Sequence, residues 1–158
     1  MQSNNNLTSN ILSFNELSPK QLYRIMQLRV SVFVVEQTCY YQELDGLDTL
    51  PETRHLLIQE GNQIAGYARI LAPGASYSGA SSIGRILVSP DYRGQGLGHR
   101  VVKEALDLCL TQWSAYPIKI GAQTHLKDFY SQYQFIQVGE PYLEDGISHI
   151  HMVRGNDH

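Results

Sequence analysis

The chain predicts a mixed α/β (α+β) fold, a central sheet of about seven strands flanked by helices, and three observations carry that expectation. Apolar runs of strand length and runs at helical spacing succeed one another as strand, helix, three strands, helix, strand, helix and two strands. Gly61-Asn62 separates two β-like runs by two residues that tolerate positive φ, the mark of a tight hairpin and so of an antiparallel pair. Arg93-Gly94-Gln95-Gly96-Leu97-Gly98 lies between an apolar run and an amphipathic helix. Glycines there let the backbone approach a ligand, and the first helical N–H groups, which lack intrahelical partners, point outward to an anion.

Taken in order, residues 1–10 are rich in Asn, Ser and Gln without periodicity and read as a mobile tail, so a single domain is expected over 11–154. Residues 11–14 form a short strand. Ser18-Pro19-Lys20-Gln21 supplies an N-cap, a proline at the first helical position and a Gln at the third. Leu22, Ile25, Met26, Arg29, Val32 and Phe33 then recur at helical spacing, and this helix ends near Val34 or Val35. The stretch 36–53 carries Glu36, Glu43, Asp45, Asp48 and Glu52 with Tyr40 and Tyr41; it is long for a connection, and long ordered loops usually bind or shape a site. Strands at 55–60 and 63–72 flank the hairpin turn, and 73–81 is a small-residue, mobile surface loop. The third strand, 82–88, is central because Ile83, Ile86, Leu87 and Val88 leave little polar surface. Leu97, Val101, Val102, Ala105, Leu106, Cys109 and Leu110 line one side of a helix that ends by Trp113. A strand at 118–123, a short helix at 126–133, a strand at 135–138 and a last strand at 147–153, after the turn Glu144-Asp145-Gly146, complete the order.

Bulk properties exclude several classes. The chain of 158 residues has the length of one domain, with 42% hydrophobic and 17% charged residues. A formal charge of -3 provides no basic field for nonspecific nucleic-acid binding. Cys39 and Cys109 have no CxxC spacing, the N-terminus has no secretory apolar core, and no apolar run is long enough to span a bilayer, so a cytoplasmic location without membrane attachment is expected.

Three glycine-loop chemistries compete for residues 93–98. A nucleotide P-loop needs Gly-Lys-Ser/Thr so that the lysine reaches phosphate, but His99-Arg100 follow Gly98. A dinucleotide fingerprint needs Gly-x-Gly-x-x-Gly opening a repeated βαβ unit, whereas Gly94, Gly96 and Gly98 alternate with single residues after an antiparallel meander. Arg93-x-x-Gly96-x-Gly98 instead resembles the pyrophosphate loop of the GNAT acetyltransferases, which bind acetyl-coenzyme A. The element order resembles that family's over nearly the whole chain. Residues 29–37 (Arg-Val-Ser-Val-Phe-Val-Val-Glu-Gln), Glu43-Leu44-Asp45-Gly46, Thr53-Arg54-His55-Leu56 and Tyr142-Leu143-Glu144-Asp145-Gly146 resemble the ElaA-like subfamily.

The resemblance implies an acetyl-CoA-dependent N-acetyltransferase that moves the acetyl group directly to an amine, small-molecule or protein. It implies a β-bulge in the strand before the loop, matched by Ile86, Leu87 and Val88, whose unpaired N–H groups hold the pantetheine and polarise the thioester carbonyl. Pyrophosphate would meet Arg93, Gly94, Gln95, Gly96, Leu97 and Gly98, with His99 and Arg100 adding charge nearby or facing solvent. Gln123 stands where many relatives have a coenzyme-contacting Asn. Tyr130, in Phe129-Tyr130-Ser131-Gln132-Tyr133-Gln134-Phe135, resembles the family's Tyr-x-x-x-Gly-Phe segment, which supplies the general acid to the coenzyme thiolate. Gln134 replaces the glycine and so takes on the strain of the helix-ending turn.

The base is less marked. Glu36, Glu43, Asp45 and Asp48 form an acidic wall suited to a cationic amine, and His149 and His151 share a strand face from which an imidazole could take the ammonium proton. Glu43 and His149 are the chosen acceptor-site residues. With no HExxH or paired-Cys spacing, no metal is expected, and neither cysteine has a nucleophile's surroundings. A homodimer through the closing strands is expected by analogy with the fold alone. A transferase for longer acyl donors, as in the homoserine-lactone synthases, and a noncatalytic acyl-CoA sensor stand as alternatives, and the amine itself is not legible.

Overall fold

Alternation along the strands sorts apolar side chains to two opposite faces, and the architecture follows from that sorting. The computed structural model describes residues 6–155. Its first sheet is antiparallel, with β1 (Thr8–Leu12), β2 (Arg54–Glu60), β3 (Gln63–Leu71) and β4 (Ser82–Val88) in that order. Leu56, Ile58, Ala68 and Ile70 enter one core, and Leu57, Ile64, Tyr67 and Leu87 enter another on the opposite face. Each face receives a helix. α1 (Pro19–Arg29) contributes Ile25 to the second core, and α2 (Leu97–Gln112) contributes Val101, Val102 and Ala105 to the first. Each Ile or Val so buried contributes about 1.5–3 kcal/mol. α2 lies close on β3 because residue 66 is glycine: a Cβ there would sit 2.8 Å from Val101 Cγ2.

Local signals fix the element ends. Ser18 Oγ accepts from Gln21 N (3.1 Å) while Ser18 N donates to Gln21 Oε1 (2.9 Å), a complete capping box at the start of α1. At its other end α1 widens into a π-helical segment, Val30–Glu36, a form often found at functional sites. The β2–β3 hairpin turns through Gly61-Asn62 with Glu60 paired to Gln63, and Gly61 takes a φ of 58°.

The second sheet is a separate one. β5 (Ile118–Gln123), β6 (Ile136–Glu144) and β7 (Ile147–Arg154) pair antiparallel in the order β5-β7-β6, with α3 (Lys127–Ser131) between β5 and β6. Ile118, Ile120, Ile150 and Met152 extend the first core across both sheets. Where one continuous sheet was expected, β4 and β5 meet through a single parallel bridge, Ser81 to Ile118, made by Ser81 N to Pro117 O (3.1 Å) and Lys119 N to Ser81 O (2.9 Å). Past it the strands diverge, and a wedge opens between the sheets.

Four local expectations are corrected. Strand pairing begins at Thr8, inside the span that reads as a tail, because β1 adds to the β2 edge; residues 1–5 lie outside the described residues. The loop at 73–81 is tied back, with Gly74 N donating to Tyr77 O (2.9 Å) and the Tyr77 ring edge-on to His151. α3 stops at Ser131, after a 3-10 turn at Thr124–Leu126. β6 runs past Val138 to Glu144 through an irregularity at 139–141, where Gly139 takes a φ of 76°. Gln134 does adopt the left-handed conformation, with φ 70°. Among the described residues no helix is long and apolar enough to cross a membrane.

Candidate active site

The wedge is a cleft of about 480 Å³, walled on one side by 83–86 of β4 and on the other by 120–123 of β5. β4 carries a bulge there. Tyr67 pairs with Leu87 and Arg69 with Gly84, so Arg85 and Ile86 together oppose Ala68, and Arg85 takes a φ of 50°. A bulge leaves backbone groups without ladder partners, and here the bulge lies in the cleft wall. Of the expected trio, only Ile86 lines the cleft; Leu87 is buried in the second core and Val88 pairs with Gly66. The bulge therefore begins one residue before the expected trio.

The glycine loop follows β4 through a 3-10 turn, Pro90–Tyr92. Gly94 (φ 82°) and Gly96 (φ 75°) use conformations that side chains disfavour, and Gly96 caps α2 without any capping side chain. His99 N donates to Gly96 O (3.2 Å), which leaves the Leu97 and Gly98 amides, at the positive end of the helix dipole, open to an external acceptor. Gln95 lies between the two glycines, and the Leu97 side chain is core, which leaves Leu97 and Gly98 to contribute through their backbone. Arg93 points back: its Nε donates to Val88 O (3.1 Å), and its guanidinium pairs with Glu36 (Nη1 to Oε1 3.0 Å, Nη2 to Oε2 3.3 Å). His99 Nδ1 lies 2.5 Å from the Tyr133 hydroxyl, with its ring against Phe129. Arg100 turns away from the loop to Glu104 (2.7 Å) and Ser9 (2.8 Å).

α3 brings Tyr130 to the cleft. Its ring packs edge-on against Phe129 and Phe135, and its hydroxyl has no hydrogen-bond partner among the described residues. Burial pushes its pKa up to about 12, so the phenol is protonated at neutral pH. Opposite, Gln123 Nε2 donates to Gln37 Oε1 (3.2 Å), linking the end of β5 to the end of the α1 segment.

The acceptor side differs most from expectation. Glu43 is buried and committed: Oε2 accepts from Arg29 Nε (2.6 Å) and Arg85 Nε (2.8 Å), and Oε1 from the Tyr41 hydroxyl (2.5 Å). A carboxylate so occupied holds the 36–53 loop in place, and Glu43 is absent from the cleft lining. Asp48 joins Arg29 (2.5 Å) and Arg69 (3.2 Å), and Asp45 grips Arg69 with both oxygens (2.8 Å each). Burial works against charge on Asp48, but the hydrogen bond from Arg29 and the charges of Arg29 and Arg69 outweigh it, and its pKa lies below the ordinary value. Glu36 is paired with Arg93, so all four carboxylates of the expected acidic wall are engaged. The carboxylates left at the rim, Glu144 and Asp145, come from the β6–β7 turn.

His149 does reach the cleft. Its Nδ1 lies 2.8 Å from Ile147 O, which can only accept, so in the neutral ring the lone pair sits on Nε2, 3.6 Å from Glu144 Oε2. His151 shares the face but stacks on Tyr142 (4.6 Å between ring centres) outside the cleft lining. Sequence reasoning missed the three arginines. One signal was available: Arg29 falls within the apolar stripe of α1, and a cation on a buried face needs carboxylate partners.

Comparison with known proteins decides the family. Residues 16–154 match the model of an acetyltransferase (GNAT) domain. The chain belongs to the GNAT acetyltransferase family. It is 43% identical over 143 residues to the protein ElaA of Escherichia coli K12, covering 90% of this chain and 93% of that one. Its fold matches an acyl-CoA N-acyltransferase from Pseudomonas aeruginosa with a TM-score of 0.89 at 43% identity, over 94% of this chain and 99% of that one. It matches Escherichia coli ElaA with a TM-score of 0.86 at 41% identity, over 93% and 99% of the two chains. The fold class is thus that of the GNAT acyltransferases, and the chain is ElaA-like within them. GNAT proteins use acyl-CoA donors. This chain's α2 start, which lacks a capping side chain, and its bulged β4 fit such a donor, since helix starts and bulges leave backbone groups outside the regular hydrogen-bond pattern.

Proposed function

We propose that this GNAT protein is an acetyl-CoA-dependent N-acetyltransferase that transfers acetyl directly to an amine, with Tyr130 as general acid and His149 as base. The observation that carries this reading is convergence: the bulged strand, a protonated phenol and an imidazole line one cleft. The α2 amides and Arg93 hold the pyrophosphate of the donor substrate, and the backbone at the bulge hydrogen-bonds the thioester carbonyl as negative charge develops on it. Glu144 and Asp145 draw a cationic amine to the rim, and His149 Nε2 takes its proton so that the nitrogen lone pair can attack the carbonyl carbon. The C–N bond forms, the C–S bond breaks, the attacking nitrogen sheds its second proton to solvent, and the Tyr130 hydroxyl gives its proton to the departing sulfur. The tyrosinate regains a proton from solvent and His149 releases one.

Calorimetry with acetyl-CoA and a thiol-release assay test this together. Acetyl-CoA should bind saturably, and Tyr130→Phe should keep that binding while kcat falls by roughly 10²-fold or more, the usual contribution of a general acid. Absence of binding heat, or a Phe variant with unchanged turnover, refutes the reading. A donor-length series in the same assay separates acetyl from longer acyl groups, and binding without turnover would point to a sensor.

A further inference from the structure

We infer that Arg85 sets acceptor specificity, and that the amine it selects bears a carbonyl oxygen on the neighbouring carbon: a free α-amino acid or the first residue of a peptide. The inference rests on the proposed N-acetyl transfer and names its acceptor class.

Arg85 is held in an unusual way. It occupies the bulge at a φ of 50°, a region that residues with a Cβ seldom adopt and that persists where the surroundings over-determine it. Its Nε donates to Glu43 Oε2 (2.8 Å), and its Nη2 lies 3.3 Å from Glu43 O and 3.4 Å from Asp45 Oδ2. The Tyr41 ring lies 5.8 Å from the guanidinium carbon. These contacts fix the guanidinium plane through Nε and Nη2. Nη1 makes no hydrogen bond among the described residues, and the side chain, 22% exposed, lines the cleft. Two N–H groups are therefore presented to a ligand by a cation that cannot turn away.

Position and charge define what those N–H groups meet. Arg85 directly precedes Ile86, at the bulge assigned to the thioester carbonyl, so a group bound at Nη1 sits beside the acyl carbon. Arg29, Arg69 and Arg85 balance Glu43, Asp45 and Asp48, so Nη1 offers hydrogen bonds rather than surplus charge, a match for an amide carbonyl as well as a carboxylate. Glu144, Asp145 and His149 line the same cleft and suit the ammonium. An acceptor with both features spans the two sets. A lysine side chain or an alkyl amine would bring methylenes to Nη1 and leave it desolvated without a partner, a loss that discriminates strongly.

The test compares kcat/KM for a panel of free amino acids, their amides and the matching decarboxylated amines, with acetyl-CoA as donor. The acid or the amide should exceed the decarboxylated amine by at least about tenfold, the size expected for one unpaired buried group. Preference for the acid identifies a free amino acid, and preference for the amide a peptide terminus. Arg85→Met should shrink the ratio to within about threefold through a higher KM for the carbonyl-bearing acceptors. Arg85→Lys, which keeps the charge without the fork, should shrink it likewise and guards against misfolding of the Met variant. Decarboxylated amines that perform as well in the parent, a ratio untouched by both variants, or acetyl-CoA binding with no turnover of any panel member would each overturn the inference. A parent protein that binds no acetyl-CoA would instead remove the proposed function, and this inference with it.

Discussion

Replacing Arg29 by methionine probes whether the buried ion network holds the acceptor loop. Arg29 is 0% exposed and joins Glu43 (2.6 Å) to Asp48 (2.5 Å), with a further bond to Glu43 O (3.2 Å). Its loss takes the cluster from three cations and three carboxylates to two and three, leaving Asp48 with Arg69 alone. Removing one partner of a buried pair costs about 3–5 kcal/mol, because the other is left charged and desolvated. For a chain of this length each kcal/mol moves Tm by about 2–4 °C, so a fall of roughly 6–20 °C is expected by circular dichroism at pH 7. Adding Asp48→Asn should recover part of the loss, since it restores charge balance. Acid should mimic the variant. Asp48 titrates below its ordinary 3.8 in the folded chain, so its stabilisation is present above that value and is lost as pH falls through the folded pKa. Buried His55 also titrates below its ordinary 6.5, chiefly through burial; its neutral form is favoured by folding, so stability is full above 6.5 and erodes as pH falls from there. A Tm loss under about 3 °C at pH 7, or a Tm independent of pH between 7 and 3, would show that the loop is held by other means.

Two more substitutions address the donor side. Glu36→Gln removes the carboxylate paired with Arg93, which under the proposed function competes with the donor's pyrophosphate; the pair is half exposed and worth about 0–1 kcal/mol, so calorimetry should show CoA binding up to about fivefold tighter, with weaker binding as the refuting result. Gly66→Ala places a methyl 2.8 Å from Val101 Cγ2 and should cost about 1–3 kcal/mol in urea unfolding as α2 is pushed off β3; an unchanged midpoint would mean that Val101 gives way freely.

Features encoded over a few residues were legible in the sequence: the Ser18 capping box, the Gly61-Asn62 hairpin and the glycine loop before α2 each depend on neighbours within one turn. The strand at Thr8–Leu12 was only partly legible, because its exposed polar side chains show no pattern and its pairing with β2 supplies the order. The split between the sheets was hidden as well, since strand runs announce themselves but not which edges join. Tyr130 and His149, both named from local segments, line the cleft, whereas the fate of Glu43 depended on Arg29 and Arg85, 14 and 42 residues away. Partner choice at such distances is a property of the assembled core.

The wedge also bears on how the protein avoids sticking to other chains. An unpaired strand edge is a template for aggregation. Here the inner edges of β4 and β5 face each other from a common origin at Ser81. The bridge between Ser81 and Ile118 occupies both edges at that origin, so the two sheets shield each other there from pairing with a further strand. Only the cleft beyond the bridge leaves the inner edges open.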